Sequence, residues 1–349
     1  MDIENQNKKI TIKEISQMAG VSISTVSRVI NGNKWVNEDI RKKVLDIIEQ
    51  ANYTPNYNAS VMAKGQSKMI VVLVATIMNP FFSQITSILI KELKKKDYFT
   101  LVFETDNSEK EEILFLNSPI ARMVDGIISI TDGVNEKSLS KLIKPFNNLQ
   151  HPILFVDRIL PTTMADCISN DYETGIGKAV ENLVQNGHSK IALINGNEGF
   201  SVVQGKKTGY EKALETAGIP INPEYVREGK WSMQTGQKQT AELLDLEDPP
   251  TAIIAGNNDI CNGVLEELEQ RKLIPGRDIS IIGTEECDAD VRSFSKKKIN
   301  TLSLNCTELA ITASRVIIEK IENRDSYFDL HRKTLFDMAY IDRGSVARL

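Results

Sequence analysis

Apolar residues follow two different patterns along the chain. Near the N-terminus they recur at the spacing of short amphipathic helices, whereas from Met69 onward short apolar runs alternate with amphipathic stretches. The runs predict buried strands at residues 70–75, 99–103, 126–130, 153–156, 190–194, 251–255 and 279–283. The segment 299–349 adds a strand, a helix near residues 307–323 and a last strand. This alternation predicts an α/β fold with two parallel-sheet lobes.

Capping residues mark the starts of three helices before this region. Thr11 and Glu14 have the spacing of a capping box, and Gly20 can take the left-handed conformation that ends a helix. Ser22 can cap the next helix after about three intervening residues, which is helix-turn-helix geometry. Asn37 caps a third helix. Its buried stripe is expected to consist of three apolar residues, Val44, Leu45 and Ile48.

The second helix has an apolar face and a polar face. The apolar face, which packs, contains Val26, Val29 and Ile30. The polar face contains Ser24, Ser27, Arg28 and Asn31. Short hydroxyls can reach phosphates or base edges, and an arginine can bridge O6 and N7 of guanine. The polar face therefore predicts binding in a DNA major groove, with a solvated face of an ordinary helical hairpin as the open alternative.

The distribution of charge supports DNA binding by the N-terminal helical region, called the head below. The net charge of −5 argues against binding of nucleic acid by the whole chain. Residues 1–68, however, carry ten Lys/Arg against seven Asp/Glu, whereas the remainder carries 32 against 40.

A length of 349 residues with 41% hydrophobic and 26% charged residues fits two or three folded domains. The polar N-terminus and the lack of a membrane-spanning apolar run predict a cytoplasmic protein.

Motifs for enzymatic or metal chemistry are missing from the sequence. The loop at residues 76–82 lacks G-x-G-x-x-G, and neither G-x-x-x-x-G-K-[ST] nor G-x-S-x-G occurs. Four cysteines without C-x-x-C spacing and three distant histidines predict buried free thiols, no metal site and no cofactor. The acidic cluster at residues 285–290 leaves a metal-dependent enzyme as an alternative, although such loops are usually solvated. We therefore expect a protein that is not an enzyme.

The segment from Thr11 to Asn31, followed by residues 52–56, resembles the head of the LacI/GalR family of transcription regulators. Further landmarks lie at residues 79–82, 124–128, 156–158, 186–188, 256–259, 279–283 and 343–345. The resemblance implies a repressor that binds a palindromic double-stranded DNA operator as a homodimer or higher oligomer. It also implies control by a small-molecule effector, a sugar or sugar derivative. A cytosolic sugar-binding protein without DNA function is the alternative, which the head contradicts.

The resemblance also implies a division into domains and a set of DNA contacts. The domains are a head at 1–54, a hinge helix and linker at 55–68, an N-terminal lobe at 69–168 with 299–328, and a C-terminal lobe at 169–298 with 329–349, the two lobes being periplasmic-binding-protein-like. The DNA-contacting positions are Thr11, Ser22, Ile23, Ser24, Thr25, Ser27, Arg28, Asn31, Tyr53, Asn56, Ala59 and Met62. Of these, Ile23, Ser24 and Arg28 would face bases. Met62 replaces a leucine that wedges into the minor groove.

The effector contacts implied by the resemblance combine aromatic and polar residues. They are Phe82, Lys206, Trp231, Asn258 and Glu285, with Phe81 and Phe200 as neighbours. An aromatic face packs on the C–H surface of a sugar, while amide, carboxylate and ammonium groups bind its hydroxyls. Lys206 stands where the family commonly has arginine, and Glu285 replaces a usual aspartate. We therefore expect a pocket reshaped for an uncommon ligand.

Overall fold

The chain divides into two compact units, Met1–Ser67 and Lys68–Leu349, which are described separately. The computed structural model describes residues 10–32, 35–54, 65–131, 143–144, 151–159, 165–287, 298–323 and 331–349, without the side chains of residues 285–287. No helix in these ranges is both long enough and apolar enough to cross a membrane.

The first unit contains three helices, which begin at the predicted capping residues. They are α1 (Ile12–Ala19), α2 (Ile23–Ile30) and α3 (Glu38–Gln50). Thr11 and Glu14 form both hydrogen bonds of a capping box, and Gly20 ends α1 with a φ of 67°. Ser22 and Asn37 accept hydrogen bonds from the first turns of α2 and α3. The helix-turn-helix prediction is therefore confirmed.

The core of the head differs from the prediction at one residue of α3. Its buried members are Ile15, Ala19, Val26, Val29, Val36 and Val44. Leu45 was expected in this core but is 47% exposed. The face that packs runs through Ile40, Val44, Ile47 and Ile48, at the i, i+4, i+7 and i+8 spacing of one helix face. Leu45 follows Val44 by one residue, so its side chain points about 100° away from that of Val44 and lies beyond the edge of that face.

The second unit contains twelve strands in its described part. They are β1 (Met69–Val74), β2 (Phe99–Glu104), β3 (Gly126–Ile130), β4 (Ile153–Val156), β5 (Asp166–Asn170), β6 (Ile191–Asn195), β7 (Val226–Glu228), β8 (Ala252–Ala255), β9 (Ser280–Cys287), β10 (Asn300–Leu304), β11 (Lys333–Phe336) and β12 (Ala339–Ile341). Helices separate most of them: α4 (Pro80–Lys94), α5 (Glu109–Leu116), α6 (Pro119–Met123), α7 (Tyr172–Gln185), α8 (Ser201–Thr216), α9 (Met233–Leu244), α10 (Asn258–Gln270) and α11 (Cys306–Glu322). The predicted β/α alternation is confirmed.

These strands form two six-stranded sheets. The first has the order β11-β5-β4-β3-β1-β2 and is parallel throughout. The second has the order β12-β10-β9-β8-β6-β7 and is parallel except at β12. β2 was predicted to be buried, but it is the edge strand, and Phe99 on it is 74% exposed. An edge position leaves one flank of a strand uncovered, which its apolar sequence does not reveal.

The C-terminal segment divides between the sheets differently from the prediction. The strand β10 was expected in the first lobe with residues 299–328, but it lies beside β9 in the second sheet. The strand β11 was expected in the second lobe with residues 329–349, but it lies beside β5 in the first sheet. α11 packs on the first sheet, against α4, β3, β4 and β5. The chain therefore crosses between the lobes after β5, after β10 and after β11.

The cysteines match the sequence expectation in part. Cys167 and Cys261 are buried free thiols, as predicted. Cys306, the first residue of α11, is disulfide-bonded, so the expectation of a free thiol is wrong there.

Candidate DNA interface and effector site

The polar face of α2 projects from the head as the sequence predicted. Ile23 is 46% exposed, and Ser22, Ser24, Arg28 and Asn31 are also exposed. Thr25 and Ser27 are half-buried. Because the opposite face of α2 is fixed in the head core by Val26 and Val29, these side chains point away from the core. α2 therefore presents a short polar surface of the kind that reads a groove.

Hydrogen bonds between side chains organise this surface. The Ser22 Oγ lies 2.8 Å from the hydroxyl oxygens of both Ser24 and Thr25. At the other end of the helix, the Asn31 Nδ2 donates to the Ser27 carbonyl oxygen at 2.8 Å. Arg28 forms no ion pair with any residue that the structure describes. Its guanidinium can therefore bind a phosphate or a guanine without first breaking an ion pair with one of these residues.

Two of the remaining predicted DNA contacts, Thr11 and Tyr53, lie just outside the helices of the head. Thr11 is exposed, but its hydroxyl is 3.0 Å from a Glu14 carboxylate oxygen, so a phosphate must compete with the capping box. Tyr53 is half-buried against the head core, and burial raises the pKa of its phenol, which keeps the hydroxyl a donor. Asn56, Ala59 and Met62 lie outside the described residues, so their roles stay predictions.

Lys206 occupies the centre of the candidate effector site in the second unit. It lies on α8, and its side chain is fully buried. The Lys206 Nζ donates to the Gly256 carbonyl oxygen at 2.6 Å. The same atom lies 4.6 Å from the ring centroid of Tyr172 and 4.7 Å from that of Trp231. Two aromatic faces and one carbonyl therefore stabilise the buried ammonium.

Trp231 forms a wall of the site through a close approach to the backbone. It is half-buried and packs against the apolar clusters of the second unit. Gly196 directly follows β6, and a Cβ built on it would lie 2.2 Å from Cζ2 of the Trp231 indole. A residue with any side chain at this position would displace the ring. The indole therefore keeps its place because residue 196 is glycine.

The other predicted effector residues are partly brought together. Phe82, Phe200 and Trp231 pack against the same apolar cluster, whose members come from both sheets. Asn258 is half-buried at the first position of α10, two residues after Gly256. Phe81 is only 2% exposed, and its ring meets Phe82 edge-on at 5.1 Å, so it supports Phe82 from within the core. The side chain of Glu285 lies outside the described residues, and its role stays a prediction.

Several polar residues near the site were missed by the sequence reasoning. The Tyr172 hydroxyl donates to Oδ1 of Asp157 at 2.8 Å. The Oδ1 of Asn195 and the Nδ2 of Asn170 are buried and have no hydrogen-bond partner among the described residues. Asn170 and Asn195 end β5 and β6, and Asp157 directly follows β4. The rule that ligands bind at the carboxyl ends of parallel strands could have identified all three.

The metal alternative of the sequence, the acidic cluster at residues 285–290, has its side chains outside the described residues. Among the described residues, no group of three or more His, Cys, Asp or Glu side chains is placed to hold an ion. A buried ion pair at the carboxyl end of the first sheet joins Arg158 to Glu112, with 3.6 Å between Nη1 and Oε1. Arg158 also donates to the Thr131 carbonyl oxygen at 3.2 Å, so it braces β3 against β4.

Comparisons with known proteins identify families that match each of the two units. A family described as "Bacterial regulatory proteins, lacI family" matches residues 11–56, and one described as "Periplasmic binding proteins and sugar binding domain of LacI family" matches residues 67–337. The probable HTH-type transcriptional repressor ExuR of Bacillus subtilis (strain 168) is 31% identical over 344 residues, which cover 97% of this chain and 99% of that protein. Catabolite control protein A of Priestia megaterium is 31% identical over 275 residues, 78% of this chain and 82% of that protein.

A solved structure supports the same architecture. The lac repressor dimer bound to operator and the anti-inducer ONPF has a TM-score of 0.82 at 24% identity, and the match covers 97% of this chain and 100% of that one. At this identity the likeness shows the fold. Because one family match covers the helix-turn-helix head and the other covers nearly all of the two-lobed unit, the chain belongs to the LacI family of bacterial transcription regulators, which are not enzymes.

Proposed function

We propose that this regulator binds a palindromic operator as a homodimer in the cytoplasm, represses transcription there, and changes its operator affinity when the second unit binds a sugar or sugar derivative. The observation that carries the proposal is the exposed polar face of α2, with Arg28 outside any ion pair of the described residues. A two-fold operator matches a two-fold dimer, because each head reads one half-site.

The proposal for the effector rests on the wall formed by Trp231 and the buried Lys206. An indole face packs on the apolar side of a sugar ring, and Asn258 adds an amide that can bind hydroxyls. The description of the matched family also names a sugar-binding domain. A ligand that contacts both lobes favours the arrangement of the lobes that it binds more tightly. If that arrangement differs from the unliganded one in its affinity for the operator, the ligand changes operator affinity.

Selection of duplexes from a random pool tests the operator. The selected sequences should be palindromic, and the protein should bind them as a dimer with an affinity that falls steeply as salt rises, because bound phosphates release counterions. The measurement is fluorescence anisotropy of a labelled duplex across a salt series, with the oligomeric state from light scattering. A monomer that binds selected and random duplexes equally would contradict the proposal.

A thermal-shift screen of sugars, nucleosides and sugar phosphates tests the effector, since a ligand that binds the folded state raises the melting temperature. Glu285→Ala should abolish the shift caused by a hit, because a hydrogen bond to a charged group is worth about 1.5–3 kcal/mol. Its operator affinity without ligand should stay unchanged. Normal ligand binding by this variant would remove Glu285 from the site.

A further inference from the structure

Three polar contacts in series connect the Trp231 wall to the opposite lobe. The Lys206 ammonium lies between the rings of Trp231 and Tyr172, 4.7 Å and 4.6 Å from their centroids. The Tyr172 hydroxyl then donates to Oδ1 of Asp157 at 2.8 Å. Tyr172 begins α7, which packs on α8 beside the second sheet, whereas Asp157 directly follows β4 of the first sheet. The series therefore spans both lobes.

The backbone of Asp157 has an unusual conformation that its hydrogen bonds hold in place. Its φ is 59°, in the left-handed region that non-glycine residues seldom adopt. Such strain persists where surrounding interactions hold it. The Asp157 backbone N–H donates to the Ile168 carbonyl oxygen at 2.8 Å, and the carboxylate accepts from Tyr172. The left-handed turn and the hydrogen bond to α7 therefore occur at the same residue.

The hydroxyl of Tyr172 makes one of the hydrogen bonds between the lobes. Tyr172 is only 2% exposed, so its hydroxyl is removed from water and needs a partner in the protein. The ring alone would still face the Lys206 ammonium, because that contact uses the aromatic face. Lys206 is in turn held by the Gly256 carbonyl oxygen. Loss of the hydroxyl would therefore break this hydrogen bond between the lobes, whereas a neighbouring one, from the Ile159 backbone N–H to the Ser201 Oγ at 2.9 Å, would remain.

We propose that Tyr172 is a positioning residue that couples the orientation of the Trp231 wall to the first lobe through Lys206 and Asp157. A ligand seated on Trp231 bears on Lys206 and Tyr172, and so favours one placement of Asp157 and the lobe that carries it. That a ligand binds against Trp231 rests on the proposed function. The coupling itself is a property of the unliganded protein, so it can be tested without operator or effector.

The test is acrylamide quenching of Trp231 fluorescence in a full-length Trp35→Phe background, which leaves Trp231 as the single tryptophan. Tyr172→Phe should raise the quenching constant by about twofold or more, because loss of the hydrogen bond loosens the indole wall. The matched control is Tyr210→Phe. The Tyr210 hydroxyl is equally buried and donates to the Ile191 carbonyl oxygen within the second lobe, so this change removes a hydrogen bond that joins no lobes.

Two further variants separate coupling from a loss of packing. Asp157→Asn keeps an oxygen acceptor and tolerates a positive φ, so its quenching constant should match that of the background protein. Lys206→Met breaks the next contact with little change in volume and should raise the constant as Tyr172→Phe does. Equal constants for Tyr172→Phe and the background would overturn the proposal. So would an increase in Tyr210→Phe or Asp157→Asn as large as the one in Tyr172→Phe.

Discussion

Single residues on α2 decide what the head can recognise. The exposed Ile23 offers an apolar contact of the kind that suits a thymine methyl, and Arg28 offers a guanidinium that can bind guanine at two positions. The hydroxyls of Ser22 and Thr25 form a hydrogen bond with each other, which leaves one hydroxyl proton of the pair able to donate to a phosphate. The place of Arg28 on the exposed face was predicted from the spacing of polar residues, because the opposite face of α2 packs in the core. The roles of Ser22, Ile23 and Thr25 were implied by the family resemblance.

Arg28→Ala should weaken binding to the selected operator by about 1–3 kcal/mol, because it removes a bidentate contact to a base. Binding to random duplex should change much less, and the melting-temperature shift caused by a sugar should stay the same. Anisotropy titrations with both duplexes measure the difference. Arg277→Ala is the control, since Arg277 is an exposed arginine of the second unit. Equal losses on operator and random DNA would make Arg28 a phosphate contact.

Gly196→Ala should remove effector binding while leaving the fold intact. The added Cβ would lie 2.2 Å from the Trp231 Cζ2 atom, so the indole must leave its position. The measurement is the change in Trp231 fluorescence caused by a sugar from the screen, in the Trp35→Phe background. Gly177→Ala on α7 is the matched control, because the nearest atom to its Cβ is 3.8 Å away. Normal sugar binding by Gly196→Ala would show that the wall does not contact the ligand.

At the scale of elements, local signals were predicted well and tertiary position was not. The caps Thr11, Ser22 and Asn37 were identified because a capping residue satisfies backbone groups within its own first turn. β5 and β7 were missed, since the sequences DCISN and VRE lack the apolar run used to find strands. β5 is nevertheless buried throughout, because neighbouring strands cover it on both sides. Neighbours along a sheet do not appear in a local pattern.

The start of β5 should make stability depend on acidic pH. Burial would raise the pKa of the Asp166 carboxyl, but the nearby His331 ring, the Lys320 ammonium and a hydrogen bond from the Arg332 backbone N–H together hold it below its ordinary 3.8. A carboxyl whose pKa is lower in the folded state stabilises the protein above its unfolded pKa, and this contribution disappears as pH falls through the folded value. Lys320 on α11 lies 3.0 Å from the carboxylate and is itself buried, so neutralisation leaves a buried ammonium.

Asp166→Asn should therefore lower the free energy of unfolding at neutral pH, and its deficit relative to the natural protein should shrink below the ordinary carboxyl pKa of 3.8. Urea unfolding of both proteins along a pH series measures this difference. Glu181→Gln, at an exposed carboxylate of α7, should show no such pH-dependent deficit. A deficit for Asp166→Asn that stays constant as the solution is acidified would show that the ion pair does not set the pH dependence.

At the scale of the whole second unit, the number of sheets was predictable but the path between them was not. Seven apolar runs separated by helical patterns sufficed to predict two lobes, because consecutive parallel strands of a sheet are joined by a crossover connection that usually contains a helix. β10 and β11 were placed in the wrong lobes, since the sequence before and after a crossover looks the same. The residues that connect the lobes were missed for the same reason. Asp157 and Tyr172 are 15 positions apart, and only the crossover after β5 brings them together.

Operator and effector that bind the same protein molecule should influence each other's affinity by the same factor. Thermodynamic linkage requires that a sugar which changes operator affinity by some factor has its own affinity changed by that factor when operator is bound, typically about 5- to 150-fold. Two independent titrations measure the factors, one of labelled operator with and without saturating sugar, the other of Trp231 fluorescence with and without operator. Tyr172→Phe should bring both factors closer to one, because it breaks the hydrogen bond from Tyr172 to Asp157 between the lobes. Full and equal factors in this variant would mean that the signal reaches the head by another route.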